Sequence, residues 1–332
     1  MRSRQRRTMG QVAWVALIVG VLIVLAGCRQ PAETVPPPQP YAGPTFTPGP
    51  GETLPAPQGS TPQSPQADED ALAAKVNGEP LYLADYQKQV GEWEAAFITQ
   101  NANLSEQEKQ EMLIQGRRQV LDVMIEQLLI EQAATRQGIG VSDAEVESVI
   151  ARDIEENGGQ TQFEAWLQAN NWTYDEYRSR QRSMMIASQM FEQVTQDVPT
   201  EAEQAHARHI LVASEQEARD LLAELQGGAD FGTLAREHSL DPSTKESGGD
   251  LGFFPRGTLV VPEVEEAAFS LSVGEISDVV PTAMGYHIVQ VVERSEAMAL
   301  TEESWQALRE VTFRGWVSNL WASAQIEILI AV

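Results

Sequence analysis

The chain is poor in the residues on which several common kinds of protein depend. Cys28 is its only cysteine, so no disulfide can form within one chain and no set of thiolates is available to a metal. Four of its 23 basic residues lie in the first 27 positions, which hold no acid, so the rest has 19 basic against 48 acidic residues and a formal net charge of −29. A body this acidic repels nucleic acid phosphates and anionic lipid head groups, so we expect neither as a partner.

One uncharged apolar run stands at the start of the chain and is short for a membrane span. Residues 12–26 follow four arginines and lead into Leu-Ala-Gly-Cys at residues 25–28, a pattern typical of a secretory signal peptide. Residues 25–28, Leu-Ala-Gly-Cys, resemble the lipobox of bacterial lipoproteins, which implies removal of residues 1–27 and lipidation of Cys28. The alternative is an uncleaved anchor helix, and either interpretation places the remaining chain outside the cytoplasm.

Proline is scarce except in one segment that follows Cys28. Twelve of the 18 prolines lie between Pro31 and Pro65, among Gly, Thr, Gln and Ser. Proline has no amide hydrogen and favours extended polyproline geometry, so residues 28–70 are predicted to be a disordered linker. Because an extended chain of this kind spans about 3.1 Å per residue, the linker can reach on the order of 100 Å.

Residues 71–200 carry the patterns of a hairpin followed by helices. Asn-Gly at positions 77–78 lies between short apolar runs and predicts a tight turn. Four Ser or Thr residues have a Glu three positions later and predict capping boxes at helix starts: Ser105, Ser142, Thr161 and Thr173. The helices are predicted over residues 83–100, from Ser105 to near Gly138, and in three further segments, the last of which ends near Thr195.

The last 36 residues predict one more helix and a short strand. The helix begins after Thr301 and has Trp305 and Trp316 on one face. Isoleucines alternate at positions 326, 328 and 330, which is typical of a strand. An edge strand needs a partner, and the hairpin around Val76 is the best available one.

Two histidines in matched settings are the most informative feature between residues 203 and 296. His209 precedes Ile-Leu-Val and His287 precedes Ile-Val, so each opens an apolar, β-branched run typical of a buried strand. Two imidazoles would therefore enter one core, and a buried polar ring is costly unless it is hydrogen-bonded. Helical patterns at 214–226, 230–238 and 263–269, with strands near 276–280 and 287–292, give an α+β pattern.

The two histidine motifs, with Ser-Gly-Gly-Asp-Leu-Gly-Phe-Phe at residues 247–254 between them, resemble the parvulin family of peptidyl-prolyl isomerases. The resemblance implies a four-stranded antiparallel sheet surrounded by helices. It also implies that His209 and His287 form a tandem pair, that Asp241 takes a position held by cysteine or aspartate in the family, and that Thr282 is their hydroxyl partner. Purely structural hydrogen bonds are the alternative role for the histidines.

The reaction that this resemblance implies is rotation about the peptide bond before proline. Its barrier is about 18 to 20 kcal/mol, and no bond is broken, so no cofactor and no metal are expected. The residues that map to the apolar cup for the proline ring are Leu251, Phe254, Leu259, Val264 and Met284. Many parvulins have phenylalanine at Val264, so weak or absent activity is an open alternative. No basic cluster follows Val212, so no receptor for a phosphorylated residue before proline is expected.

Residues 71–200 resemble the N-terminal module of SurA- and PrsA-like foldases. The resemblance rests on Val-Asn-Gly-Glu at 76–79 and Gly-Ile-Gly-Val-Ser-Asp-Ala-Glu-Val at 138–146. In that family the C-terminal segment returns to the N-terminal module. The implied domains are a helical chaperone domain made from residues 71–200 and 297–332, with a parvulin domain inserted at 203–296.

The sequence as a whole therefore predicts an extracytoplasmic foldase that is anchored to the membrane through Cys28. Its expected partners are unfolded or partly folded secreted proteins, and its expected location is the outer face of the cytoplasmic membrane or the periplasm. Two alternatives stay open: a chaperone whose parvulin domain is silent, and an assembly lipoprotein that uses this domain only for protein contacts.

Overall fold

The computed structural model describes residues 71–331. The predicted signal peptide, the predicted linker and Cys28 lie outside the described residues. The described chain divides into two compact units, one of residues 71–128 with 325–331 and one of Leu129–Ala324. Between residues 71 and 331, no helix combines the length and the hydropathy that a membrane crossing needs.

The elements of the described chain follow one another in the order strand hairpin, helices, mixed segment, helix and strand. They are β1 Leu72–Val76, β2 Glu79–Tyr82, α1 Leu83–Gln100, α2 Glu106–Arg136, α3 Asp143–Glu156, α4 Gln160–Ala169, α5 Tyr174–Thr195, β3 Glu201–Val212, α6 Glu215–Gln226, α7 Phe231–His238, β4 Asp250–Pro255, α8 Pro262–Ser270, β5 Val280–Thr282, β6 Gly285–Ala299, α9 Glu302–Ser323 and β7 Ile326–Ile328. A 3-10 turn, Lys245–Ser247, precedes β4.

A three-stranded antiparallel sheet joins the two ends of the described chain within the first unit. Its order is β2-β1-β7. Asn77 and Gly78 both have positive φ, 52° and 86°, as the predicted Asn-Gly turn requires. The backbone N–H of Asn77 donates to the carbonyl of Gln325 at 2.8 Å, and the N–H of Gln325 donates to Asn77 Oδ1 at 2.9 Å. The predicted return of the C-terminal strand to the hairpin is confirmed.

Helices α1 and α2 follow the hairpin, and α2 runs past the boundary between the units. The backbone N–H of Ser105 donates to Glu108 Oε2 at 2.9 Å, and that of Glu108 donates to Ser105 Oγ at 3.4 Å, which is the predicted capping box of α2. In the first unit, Gly116 lets α1 and α2 approach closely, because a Cβ there would lie 1.9 Å from the Trp93 ring.

Helices α3, α4, α5 and α9 belong to the second unit. Capping boxes at Ser142 and Thr173 are present as predicted. The one predicted at Thr161 is wrong: the N-cap of α4 is Gly159, with a φ of 89°, two residues before Thr161, so Thr161 lies inside the first turn. Helix α9 packs on α5 through buried Arg309, which donates Nε–H to Thr195 Oγ1 at 2.8 Å.

The inserted segment forms a four-stranded antiparallel sheet with helices on both faces, as predicted. The strand order is β4-β3-β6-β5. Helices α6 and α7 pack with Ile210, Val212 and Ile288 on one face. Helix α8 packs on the other face with the alternate residues of β3 and β6, Ala205, Ala207, Val289 and Val291.

The strand predicted at 276–280 is found only in part. Ile276 makes a single bridge to Gln290, and β5 begins at Val280. The ladder is interrupted because Ser277 Oγ, rather than a backbone oxygen, accepts the N–H of Val289 at 2.9 Å.

Candidate active site

The two histidines lie side by side on the face of the sheet that α8 covers. Strand register pairs His209 of β3 with Val289 and pairs His287 of β6 with Leu211. The rings are stacked with centroids 5.3 Å apart, and the two Nδ1 atoms are 3.1 Å apart. His209 is 7% exposed and His287 is 1% exposed, so their hydrogen bonds must be made within the protein.

Each outer ring nitrogen has an oxygen partner, so four of the predicted site residues form one continuous chain. His209 Nε2 lies 2.9 Å from Asp241 Oδ2. His287 Nε2 lies 3.1 Å from Thr282 Oγ1. The order along the chain is Asp241, His209, His287 and Thr282, and the loop after α7 and the end of β5 supply its two ends.

Asp241 is held as a carboxylate by the loop in which it lies. The N–H of Ser243 donates to Oδ1 at 3.0 Å, and the hydroxyl of Thr244 donates to Oδ2 at 2.6 Å. Burial acts to raise the pKa of Asp241, but hydrogen bonds from Ser243, Thr244 and His209 outweigh burial and hold that pKa well below its ordinary value. The carboxylate is therefore ionised at neutral pH and only accepts hydrogen bonds.

The charge on Asp241 sets the direction of every hydrogen bond in the chain. An ionised carboxylate needs a donor, so His209 carries its hydrogen on Nε2 and accepts at Nδ1. His287 must then donate from Nδ1, which leaves its Nε2 to accept from Thr282. Burial, followed by the nearby charge that His209 can carry, lowers the pKa of His287 to about 4, so this ring is neutral at neutral pH.

Thr282 is itself fixed by the turn between β5 and β6. Its Oγ1 accepts the N–H of Met284 at 3.1 Å. The single hydroxyl hydrogen has two acceptors within reach, His287 Nε2 at 3.1 Å and the carbonyl oxygen of Gly285 at 3.2 Å. The turn therefore holds the hydroxyl at the end of the histidine pair.

Four of the five predicted cup residues lie in one apolar cluster on the same face of the sheet as the histidines. They are Leu251, Phe254, Leu259 and Val264. Phe254 and Val264 are buried, whereas Leu251 and Leu259 are only partly buried and present apolar surface to solvent.

Met284 is not part of this cluster. It lies in the turn between β5 and β6, and its side chain is 60% exposed. The N–H of Met284 donates to Thr282 Oγ1, and Met284 is not among the residues that pack in the cluster with Phe254 and Val264. The structure therefore brings together the two histidines, Asp241, Thr282 and four apolar residues, and leaves Met284 at the surface.

Sequence reasoning missed Thr244. Its Oγ1 is 3.0 Å from His209 Nε2 and 2.6 Å from Asp241 Oδ2. A hydroxyl three residues after an aspartate is a common local pattern, so the spacing alone signals a turn rather than a contact with a distant histidine.

Glu265 was missed as well, and it holds the loop before α8. Its carboxylate accepts the N–H groups of Gly257, Thr258 and Leu259 at 2.7, 3.0 and 3.0 Å. Leu259 is thereby held in the apolar cluster, while Val260 is 93% exposed. The signal in the sequence was an acid in the first turn of a helix, which is usually only a favourable charge there.

The arrangement suits a reaction that needs shape and polarity rather than bond cleavage. Apolar surface lies on the same face of the sheet as the two histidines, and every ring nitrogen of the pair has a hydrogen-bond partner. Between residues 71 and 331, no group of three or more His, Cys, Asp and Glu side chains is placed to hold a metal ion.

Comparison with known families agrees with this architecture. Residues 190–295 match the family model of the PPIC-type PPIase domain, and residues 58–191 match that of the SurA-like N-terminal domain. The fold and the two matches define a parvulin-type peptidyl-prolyl cis-trans isomerase that is joined to a SurA-like module.

The relatives identify the family more closely. The chain is 36% identical over 238 residues to the foldase protein PrsA of Caldanaerobacter subterraneus subsp. tengcongensis, which covers 66% of this chain and 72% of that protein. It is 27% identical over 267 residues to the foldase protein PrsA of Clostridium tetani, covering 70% and 76% of the two chains. The chain belongs to the PrsA foldase family.

A solved structure of the same kind is also similar. The crystal structure of the peptidylprolyl isomerase PrsA from Bacillus anthracis is 28% identical, covers 61% of this chain and 94% of its own, and has a TM-score of 0.47. With its PPIase domain and its PrsA relatives, the chain is a foldase whose substrates are protein clients.

Proposed function

We propose that this foldase works outside the cytoplasm, is anchored to the membrane by a lipid on Cys28, and isomerises X-Pro bonds in secreted or envelope proteins. The observation that carries the catalytic part is the chain of hydrogen bonds from Asp241 through His209 and His287 to Thr282, beside an apolar cluster. The anchoring part is supported by Leu-Ala-Gly-Cys at residues 25–28 after an apolar run.

The proposed mechanism begins with the proline ring against Leu251 and Leu259. Their apolar surface, with Phe254 and Val264 behind it, excludes water from the amide. A planar amide owes its partial double bond to charge separation, which is less stable in dry surroundings, so the twisted transition state is favoured relative to the ground state. Catalysis needs only part of a barrier of about 18 to 20 kcal/mol to be removed.

The histidines act in this proposal as supports and not as an acid and a base. Their ring nitrogens are all engaged, and the neutral state of His287 removes a charge that would otherwise lie under the apolar surface. Asp241 and Thr282 are thereby fixed at the two ends of the pair, where polar groups can meet the amide as it twists. Asp241, His209, His287 and Thr282 are the proposed site residues, with Leu251, Phe254, Leu259 and Val264 as the proline cup.

The proposed domain organisation follows from the same elements. Residues 1–27 are a lipoprotein signal peptide and residues 28–70 a spacer, in accord with the prolines between Pro31 and Pro65. Residues 71–200 and 297–332 form the chaperone domain, which the pairing of β1 with β7 supports. Residues 203–296 form the isomerase domain. The acidic composition supports protein clients rather than nucleic acid as partners.

The anchoring proposal is tested by metabolic labelling with palmitate and by cell fractionation. Cys28→Ser should abolish labelling and either release the mature protein or leave an unprocessed precursor. A matched control is the double variant Cys28→Ser with Ser60→Cys, which restores one thiol at a different position of the predicted linker and should stay unlabelled. Persistent labelling of Cys28→Ser would show that the lipobox interpretation is wrong.

A further inference from the structure

Thr244 completes a triangle of polar atoms at the Asp241 end of the histidine pair. Its Oγ1 lies 2.6 Å from Asp241 Oδ2 and 3.0 Å from His209 Nε2, and these two atoms are 2.9 Å from each other. The residue is 9% exposed, so water does not compete freely for these contacts. The Thr244 hydroxyl, the Asp241 carboxylate and His209 Nε2 thus have two hydrogens among them. Only one placement of these hydrogens gives each of the three groups a suitable partner.

That distribution follows from the ionised state of Asp241. The carboxylate has no hydrogen, so the Thr244 hydroxyl donates its single hydrogen to Oδ2 and keeps lone pairs that face His209. His209 Nε2 then faces two acceptors, the carboxylate and the hydroxyl oxygen, and must carry a hydrogen that both share. The opposite tautomer would place a bare ring nitrogen against a carboxylate oxygen at 2.9 Å. Thr244 therefore adds a second acceptor that favours the tautomer with Nε2–H.

The backbone holds Thr244 in this position independently of its hydroxyl. The carbonyl of Thr244 accepts the N–H of Gly249 at 2.8 Å, and the carbonyl of Gly249 accepts the N–H of His209 at 2.9 Å. Gly249 has a φ of 83°, and a Cβ there would lie 2.1 Å from the His209 carbonyl oxygen, so this link needs glycine. Replacing the hydroxyl with a methyl group leaves these backbone bonds in place.

We propose that Thr244 is a positioning residue of the isomerase, whose hydroxyl holds the Asp241 carboxylate against His209 Nε2 and so stabilises the Nε2–H tautomer that this carboxylate requires. The inference rests on the proposed assignment of Asp241 and the histidines as the site. Through the pair of Nδ1 atoms, the tautomer of His209 determines that His287 donates to it and leaves Nε2 free to accept from Thr282. The hydroxyl at one end of the chain thus supports the carboxylate that orders the groups at the other end.

The test compares Thr244→Val with Thr244→Ser in the chain of residues 28–332. The valine has the shape of threonine but no hydroxyl, and loss of a hydrogen bond to a charged group should lower kcat/KM for an Ala-Pro peptide about tenfold with little change in KM. Thr244→Ser should keep kcat/KM within about twofold of the parent. Thr233→Val is the matched control, because Thr233 Oγ1 also donates to an aspartate, Asp230 Oδ1 at 2.8 Å, and that aspartate is not one of the four residues of the hydrogen-bonded chain.

A spectroscopic readout separates positioning from a merely structural role. The chain has four histidines, so imidazole ¹⁵N shifts can be assigned by single substitution. The parent and Thr244→Ser should show His209 as the Nε2–H tautomer. Thr244→Val should show a mixture, because the Asp241 carboxylate is then free to turn away from Nε2. Near-UV circular dichroism checks folding, and Thr244→Ala takes the place of the valine variant if its spectrum differs from that of the parent.

The outcomes that would overturn the proposal are distinct. Reduced activity of Asp241→Ala together with unchanged activity and tautomer in Thr244→Val would overturn the role of Thr244 and leave the site in place. Full activity of Asp241→Ala would overturn the site assignment and the role of Thr244 with it. A tenfold loss in Thr244→Val that Thr244→Ser restores, with the tautomer change, is the result expected.

Discussion

His209 and His287 face each other through the same atom, with the two Nδ1 nitrogens 3.1 Å apart. Between two such atoms one hydrogen is shared, so one ring donates and the other accepts. If both rings were fully protonated, two N–H groups would point at each other. The pair therefore tolerates at most one positive charge, and this limits the pH range in which the domain is stable.

The first prediction is a loss of stability of the isomerase domain as the pH falls below about 6.5. The pKa of His287 is about 4 in the folded protein, against an ordinary value of 6.5. Above pH 6.5 the His287 ring is neutral in both the folded and the unfolded chain and contributes nothing to the pH dependence of stability. Between 6.5 and 4 the unfolded chain binds a proton that the folded chain does not, so unfolding becomes more favourable, by on the order of 2 kcal/mol at the lower end.

Urea unfolding at pH 7 and pH 4.5 measures this effect. The window lies above the ordinary pKa of Asp241, whose lowered folded-state pKa contributes stability that is lost only at more acid pH. His287→Asn should reduce the pH dependence, while His238→Asn, a change at a half-exposed ring in the same domain, should not. Equal pH dependence of the unfolding free energy in the parent and in His287→Asn would contradict the lowered pKa of His287.

The second prediction concerns the strand that closes the first unit. Removal of residues 326–332 deletes β7, which pairs with β1 at Val76 and Ala74. The buried edge of β1 then has unpaired backbone groups, so the amides of β1 should lose hydrogen-exchange protection while those of β3 and β6 keep theirs. Removal of residues 331–332 alone is the control. Unchanged protection of β1 in the longer deletion would exclude the pairing.

The third prediction concerns Val264, the cup position at which many parvulins have phenylalanine. Val264→Phe should raise kcat/KM for an Ala-Pro peptide, because a larger apolar wall gives more contact with the proline ring. The site is only 2% exposed, so the added volume should also cost about 1 to 3 kcal/mol of stability. Val273→Phe makes the same change at an exposed position. A folded Val264→Phe with unchanged activity would show that Val264 does not line the cup.

The fourth prediction concerns the carboxylate that holds the loop before α8. Glu265→Gln removes the charge that accepts three backbone N–H groups, so the free energy of unfolding should fall by about 1.5 to 3 kcal/mol. Because Leu259 is released from the cluster, KM should rise more than kcat falls. Glu266→Gln, at the neighbouring exposed position, should change neither. Equal kinetic behaviour of both variants would contradict this role.

Local chemistry explains which parts of the fold could be predicted from the sequence. The Asn-Gly turn and the boxes at Ser105, Ser142 and Thr173 depend on residues within three or four positions of each other, and all were correct. Thr161 failed because a neighbouring Gly with positive φ set the helix start instead. Strand β3 begins earlier than the apolar run suggests because its pairing with β6 extends to Ala299, a contact between distant residues.

The same distinction applies to the candidate site. The resemblance to parvulins led to Asp241, His209, His287 and Thr282, and the structure brings these four side chains into contact. Thr244 was missed because its partner His209 lies 35 positions away and is reached only through the fold of the loop. Glu265 was missed because its partners are three backbone N–H groups, and a contact with backbone groups does not depend on a recognisable residue pattern.

The most direct test of the account is the exchange rate between cis and trans Ala-Pro in an unphosphorylated peptide, measured by NMR at equilibrium with the mature chain. The account predicts a rate well above that of the uncatalysed peptide, reduced about tenfold or more by Asp241→Ala in a variant that keeps its near-UV circular dichroism. Ser243→Ala, which leaves the Asp241–His209 contact in place, should reduce the rate less. Catalysis that is unchanged in folded Asp241→Ala would contradict the proposed site.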